Sequence, residues 1–465
     1  MKFRVEKDTL GSVKVPENAL YGAQTERALL NFGPSRVNYG YYSYFFVRAI
    51  ATVKKAAAQT NKDLGLLSAK KAQLIIKAAD EVLEGKHSHE FLLGILQSGS
   101  GTQSNMNMNE VLANRAIQLA NGKVGSKKPV HPNDDVNMGQ SSNDVIPTAM
   151  HVATVLAADE IIVILNLLAM TLRKKSKEFK EIIKVGRTHL MDATPLTLGA
   201  EFSGYATQVK NGIVRIKSCL PHLKELALGG TAVGTGLNTH PQFTTKTVRN
   251  ISKITKQTFK SAPNKYEAIA AHDALVQFSG TLKTVAVSLL KIANDIRLLS
   301  SGPRCGLNEL ILPANEPGSS IMPGKVNPSQ CESMMMACAK VIGNDTAVSI
   351  AGAGGNLELN TFKPLIIYTI LDSIDFLAES LPGFTFACIS EIKPNKKQIQ
   401  KNLENSLMLV TVLNKHIGYD KAALIAQKAY TENKTLKEAA AALGFVTEKQ
   451  FDKIAQPQKM LKPSK

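Results

Sequence analysis

Eight apolar residues, Leu275, Phe278, Leu282, Val285, Leu289, Ile292, Ile296 and Leu299, follow one another at spacings of 3, 4, 3, 4, 3, 4 and 3. No strand can gather such a row on one face, because strand side chains alternate with a period of two. A helix can, and it then carries a narrow apolar seam that must be buried against neighbouring helices at a shallow angle. The 25 residues of the seam make a rod of about 37 Å at 1.5 Å per residue. A second segment, Asp159 to Leu172, is apolar almost all round and is expected deeper in the same bundle. Its run IIVILNLLAM follows Asp159-Glu160 and is too short to cross a bilayer, so no membrane partner is expected. These segments predict a mainly α protein built on a long central helix bundle, with few strands.

The 465 residues divide into three zones. Residues 1–138 mix short periodic runs with loops such as NGKVGSKKPVHPNDD, and 139–393 carry the long apolar segments. Residues 394–465 form a small helical zone, in which Thr435-Leu-Lys-Glu438 and Thr447-Glu-Lys-Gln450 match the capping box and Gly444 is placed to end the first helix. That zone reads as scaffold.

The net charge is +18, but the lysines are scattered and no arginine-rich run or aromatic-interleaved basic stripe accompanies them. A solvated surface is expected rather than a nucleic-acid partner, and a cationic field would also draw in a small dianion. Five cysteines, odd in number and without a CxxC pair, suggest neither a disulfide framework nor a zinc site. With no apolar leader in MKFRVEKDTLG, a reducing, cytoplasmic setting is expected.

Four polar, glycine-rich loops interrupt the helical segments: GSGTQSNMNMNE (99–110), HPNDDVNMGQSSND (131–144), GRTHLMDATPLTLGAE (186–201) and PGSSIMPGKVNPSQCE (317–332). The last looks like a damaged P-loop, but five residues separate Gly318 from Gly324 and Val326 follows Lys325, so nucleotide binding is not expected. Taken singly, hydroxyls and amides at such places are helix caps. Together they offer many neutral donors beside Lys325 and His189, a setting for carboxylates bound at helix starts. Such donors could also stabilise the dianion formed when a proton is removed beside a carboxylate.

These blocks resemble, in the same order, those of the fumarase/aspartase superfamily, and of its class II fumarase branch in particular. LYGAQTERALLNF (20–32), GGTAVGTGLNTH (229–240) and SLMLVTVLNKHIGYDKAA (406–423) extend the likeness over essentially the whole chain. The resemblance implies a long central helix bundle flanked by two smaller domains. It also implies a homotetramer with a shared helical core and active sites built from three subunits. The implied reaction is reversible anti addition of water to fumarate, giving (S)-malate, without metal or organic cofactor. It casts Ser319 as the base that takes the C3 proton of malate. Lys325 and Asn327 would hold the carboxylate that becomes the enediolate, and His189, oriented by Glu332, would serve the acid side beside Thr188. Ser100, Thr102, Ser141, Ser142 and Asn143 match groups that hold the substrate carboxylates, and His131, Asn133 and Asp134 match a second, non-catalytic dicarboxylate site.

Other readings remain open at this level. Ser319 can be a turn cap, Lys325 a solvated lysine, His189 a structural histidine, and His131 an anchor for the turn at Pro132. His87 and His89 lack the pairing of a zinc site and are expected exposed; Met106 and Met108 are expected in the core. Met191 and Gly139 depart from the common family pattern, where Gln and Ser are usual, and altered packing is expected there. Aspartate ammonia-lyase, of the same fold, is the nearest rival; a non-catalytic basic scaffold is the remote one.

Overall fold

The computed structural model describes residues 2–33 and 44–463. Two strands, β1 (Phe3–Asp8) and β2 (Gly11–Pro16), form an antiparallel hairpin, followed by α1 (Ala23–Phe32), α2 (Tyr44–Asp63), α3 (Ala69–Leu83) and α4 (Thr102–Leu119). The long helix α5 (Ser142–Glu178) leads to a second hairpin, β3 (Ile183–Thr188) and β4 (Met191–Thr197), and then to α6 (Leu198–Leu223). Helices α7 (Phe243–Thr255) and α8 (Lys265–Ala270) precede three more long ones, α9 (Asp273–Leu299), α10 (Ser329–Ala353) and α11 (Lys363–Phe386). Short helices close the chain: α12 (Lys396–Asn405), α13 (Asn414–Ile417), α14 (Tyr419–Thr431), α15 (Leu436–Ala442) and α16 (Glu448–Ile454). Beyond the two hairpins, strand structure among the described residues is limited to three two-residue ladders. The architecture is mainly α, as the seam predicted.

The chain gathers into two compact units, each assembled from separated stretches. The first comprises residues 1–163, 214–286 and 338–378. Here α2 packs on α3 and α7, and α4 is enclosed almost all round, burying Met106 and Met108 as expected. The second comprises residues 164–213, 287–337 and 379–465. Its small core joins Val185 of β3 to Leu403, Leu413, Ile425, Leu436 and Phe451 of the C-terminal helices. Both capping boxes form, at Thr435/Glu438 and Thr447/Gln450, and Gly444 takes the left-handed conformation after α15. The C-terminal scaffold thus carries the β3–β4 hairpin.

All eight seam residues of α9 are buried, none more than 5% exposed. The expectation for Asp159–Leu172 needs correction. Ile161, Leu165, Leu168 and Leu172 are buried, whereas Val163, Leu167 and Met170 are 60%, 41% and 67% exposed, forming a second apolar stripe open on the single chain. All-round apolarity here means two packing faces, of which the chain itself covers one.

Candidate active site

In the first unit, Gly101, at φ +75°, turns the chain into α4, and Thr102 opens the helix. Ser100 Oγ sits 2.8 Å from Thr102 Oγ1 and 3.1 Å from Ser98 Oγ, so three hydroxyls crowd one helix start. One turn on, Asn105 Nδ2 donates to Ser142 Oγ at 2.9 Å. That bond brings the Ser100–Thr102 and Ser141–Asn143 loops together at the starts of two helices, where free N–H groups and the helix dipole favour anions. Lower on α4, Glu110 accepts from Gly22, Gln24 and Thr25 N–H at 2.9, 2.8 and 3.0 Å, which ties in the LYGAQTER block.

The Ser141 loop is nailed from beneath. Asp144, fully buried, accepts from the N–H groups of Ser141, Gly229 and Thr231, each at 2.9 Å. Burial pushes its carboxyl up to about 6, against the pull of those three donors. Asn143 Nδ2 donates to Ala232 O at 2.8 Å, a second tie to the same block. Lys54, fully buried on α2, donates to Asn137 Oδ1 and Gln140 Oε1 at 2.9 and 3.0 Å, and burial brings its amine down to about 7. Gly139 stands at φ +71°, a conformation that a serine would occupy only under strain, so glycine at this departure from the family pattern eases the turn.

His131 takes the structural role left open above. Its Nδ1 accepts from Asn133 and Asp134 N–H, both at 3.2 Å, capping the wide turn Pro132–Val136. Asn133 and Asp134 are exposed beside it.

In the second unit, β3 and β4 are joined by only two residues, His189 and Leu190, at φ +58° and +64°. Left-handed conformation at both places is the type I′ hairpin turn, usually made by Asn or Gly. Here it projects His189 from the hairpin tip, exposed, with Thr188 and Met191 flanking it. The hairpin is fastened behind the tip: Arg187 Nη2 donates to Glu309 Oε1 at 2.7 Å, Lys184 Nζ lies 3.2 Å from Glu309 Oε2, and Asn402 Nδ2 donates to Glu309 Oε1 at 3.0 Å. Burial pushes the Glu309 carboxyl up, but the Arg187 hydrogen bond and the Lys184 charge outweigh it and leave it below its usual 4.5.

The Ser319 loop closes on itself. Gly318 N donates to Lys325 O at 2.7 Å, and Asn327 Nδ2 donates to Gly318 O at 2.6 Å, pinching a neck. A Cβ on Gly318 would lie 2.7 Å from Lys325 O, so only glycine fits there. Within the loop, Ser319 Oγ accepts from the N–H groups of Ile321 and Met322 at 3.2 and 3.0 Å. Lys325 is exposed, and Glu332 lies in the first turn of α10, also exposed. Within this unit no hydrogen bond or ion pair joins His189 to Ser319 or to Glu332 among the described residues.

Sequence reasoning passed over Lys54, Asn105, Asp144 and Glu309. Asn105 and Asn109 stand one turn apart in NMNMNE, and both donate to Asn137 Oδ1 at 3.2 Å; that polar spacing on an otherwise buried helix was the available signal.

Set against known proteins, residues 11–343 match the family described as Lyase, and residues 409–462 match the one described as Fumarase C C-terminus. A fumarate hydratase class II from Yersinia pestis is 56% identical over 98% of both chains, and one from Nitrosomonas europaea is 56% identical over 99% of both. Among solved structures, a class II fumarase from Schistosoma mansoni superposes with a TM-score of 0.97 at 45% identity, covering all of both chains. A fumarate lyase:delta crystallin from Brucella melitensis gives 0.94 at 41%, over 99% of this chain and all of that one. With family models matched over residues 11–343 and 409–462 and relatives 56% identical over nearly their whole length, the chain belongs to the class II fumarate hydratases.

Proposed function

We propose that the protein interconverts fumarate and (S)-malate by anti addition and removal of water through an enediolate-like carbanion, with Ser319 as the base. The observation that carries this reading is the environment of the Ser319 oxygen, which receives two backbone N–H donors from its own loop. A serine hydroxyl alone is a poor base. Donors aimed at its oxygen stabilise the alkoxide and bring proton abstraction within reach.

The negative charge leaving C3 of malate spreads onto the neighbouring carboxylate. Lys325 would meet that dianion with a full charge, and Asn327, with one amide hydrogen committed to Gly318 O, has the other left to donate. Ser100, Thr102, Ser141, Ser142 and Asn143 would hold the substrate's carboxylates at the starts of α4 and α5. His189, with Thr188 beside it and Glu332 orienting it, would deliver the proton to the departing hydroxyl. In the family-wide reading these groups meet between subunits, and the open stripe of Val163, Leu167 and Met170 supports a homotetramer with a shared helical core. A second dicarboxylate at His131, Asn133 and Asp134 would have to use the ring nitrogen not spent on the turn. Five free thiols fit a cytoplasmic setting.

Incubating the purified protein with malate, then separately with aspartate, and following the ultraviolet absorbance of the fumarate double bond tests the reading. Signal from malate alone is expected. Signal from aspartate alone would assign the protein to the ammonia-lyases, and silence from both would make it a scaffold.

A further inference from the structure

A cavity of about 300 Å³ opens in the first unit, walled by the end of α6, by α8 and by the start of α9. None of the residues assigned above to substrate or to the second dicarboxylate site lines it. On a chain of net charge +18, its lining is anomalous: it includes Glu225, Glu267 and Asp273, and neither lysine nor arginine. Glu225 is balanced by Lys260 at 2.9 Å and has His222 Nδ1 at 3.8 Å. Glu267 and Asp273 form no ion pair among the described residues. Partial burial first, then the charges of Asp273 and Glu225, raises the Glu267 carboxyl, with His222 pulling the other way, so a cation placed between these acids would be welcomed by all of them.

Two imidazoles line the same space. His272 is 2% exposed, and neither of its ring nitrogens has a hydrogen-bond partner. His151 bonds to the backbone of Glu225 and Leu223, while its Nδ1 is buried and unpartnered. Since the backbone partners are carbonyls accepting the ring's one N–H, Nδ1 is left as a bare acceptor. Burial, with the Lys363 charge behind it, keeps His272 neutral, and the Lys363 amine is itself brought down to about 7 by burial. Buried polar atoms without partners are rare in folded proteins, and at a cavity wall they are met by water, an ion or a bound group.

The geometry points to a binding site for a small aliphatic cation with a hydrogen-bond donor at each end, of the size of a diamine: one end meets the Glu267 and Asp273 carboxylates, the other the imidazoles of His151 and His272. Carboxylates and the His151 acceptor ask for a ligand rich in donors, which excludes the dicarboxylates of the reaction. A metal ion fits less well, because among the described residues no three His, Cys, Asp or Glu side chains are grouped to hold one.

Titration calorimetry of the intact protein with putrescine tests this. Binding is expected with a dissociation constant below about 1 mM, weakened at least about tenfold in the double variant Glu267→Gln, Asp273→Asn and in His272→Ala. The uncharged isostere 1,4-butanediol is expected not to bind. Malate turnover of the double variant should match the parent, which establishes that it is folded and keeps this test separate from the catalytic assignment. No binding of putrescine at about 10 mM, binding unaffected by the double variant, or equal binding of butanediol would each overturn the proposal.

Discussion

The Ser141 loop and the Ser319 loop both present hydroxyls, and they are held in opposite ways. The first is fixed from below by a fully buried carboxylate, Asp144, and by the buried Lys54 acting through Asn137 and Gln140. The second is largely exposed, and its shape is fixed among the described residues by its own Gly318–Lys325 and Asn327–Gly318 bonds at the neck. On the proposed roles, a group that only has to hold substrate is anchored in the core, and a group that must meet residues from elsewhere is carried on a self-contained loop at the surface.

The largest effect expected from that contrast is on chemistry alone. Ser319→Ala should cut malate turnover by roughly 10²–10⁴-fold while the thermal midpoint stays at the parent value, since the side chain supports nothing beyond its own loop. Near-normal turnover would remove Ser319 as the base. Asp144→Ala should do the reverse, costing about 3 kcal/mol or more of unfolding free energy, because three backbone N–H groups lose their acceptor. Denaturant unfolding measures it, and a variant as stable as the parent would erase the distinction between the loops. Gly318→Ala should open the neck without unfolding the protein, lowering turnover about tenfold, or about 1.4 kcal/mol in the barrier. Unchanged turnover would show that the neck does not set the serine's geometry.

The smallest effect concerns the His189 hairpin. Because the folded-state carboxyl of Glu309 lies below 4.5, the stability it contributes is present in full above that value and drains away as pH falls through the lowered folded pKa. Unfolding midpoints of the parent should therefore fall more steeply on acidification than those of Glu309→Gln. Parallel pH profiles would mean that the ion pairs behind the hairpin contribute nothing.

What was legible in the sequence had a local period or a local signature. The α9 seam is spaced like a helix face, and every member is buried. Thr435 and Thr447 lie three residues from their capping partners, and both boxes form. The polar loops could be marked as candidate sites because glycine, serine and asparagine cluster at helix starts. The supporting contacts could not be read. Arg187 meets Glu309 across 122 residues, and Asn105 meets Ser142 across 37, and no spacing rule links such partners. The second face of α5 was misjudged for a related reason: periodicity shows that a surface is apolar, and says nothing about whether the same chain covers it.

The left-handed pair at His189 and Leu190 has a consequence for anyone who evolves this protein. A glycine would sit more comfortably at either place, by about 1 kcal/mol. A search for heat-tolerant variants will therefore favour the loss of the one side chain at that bend whose ring can carry a proton. If His189 serves the acid side as proposed, durability and turnover compete at a single codon, and selection for the first must be run under a demand for the second.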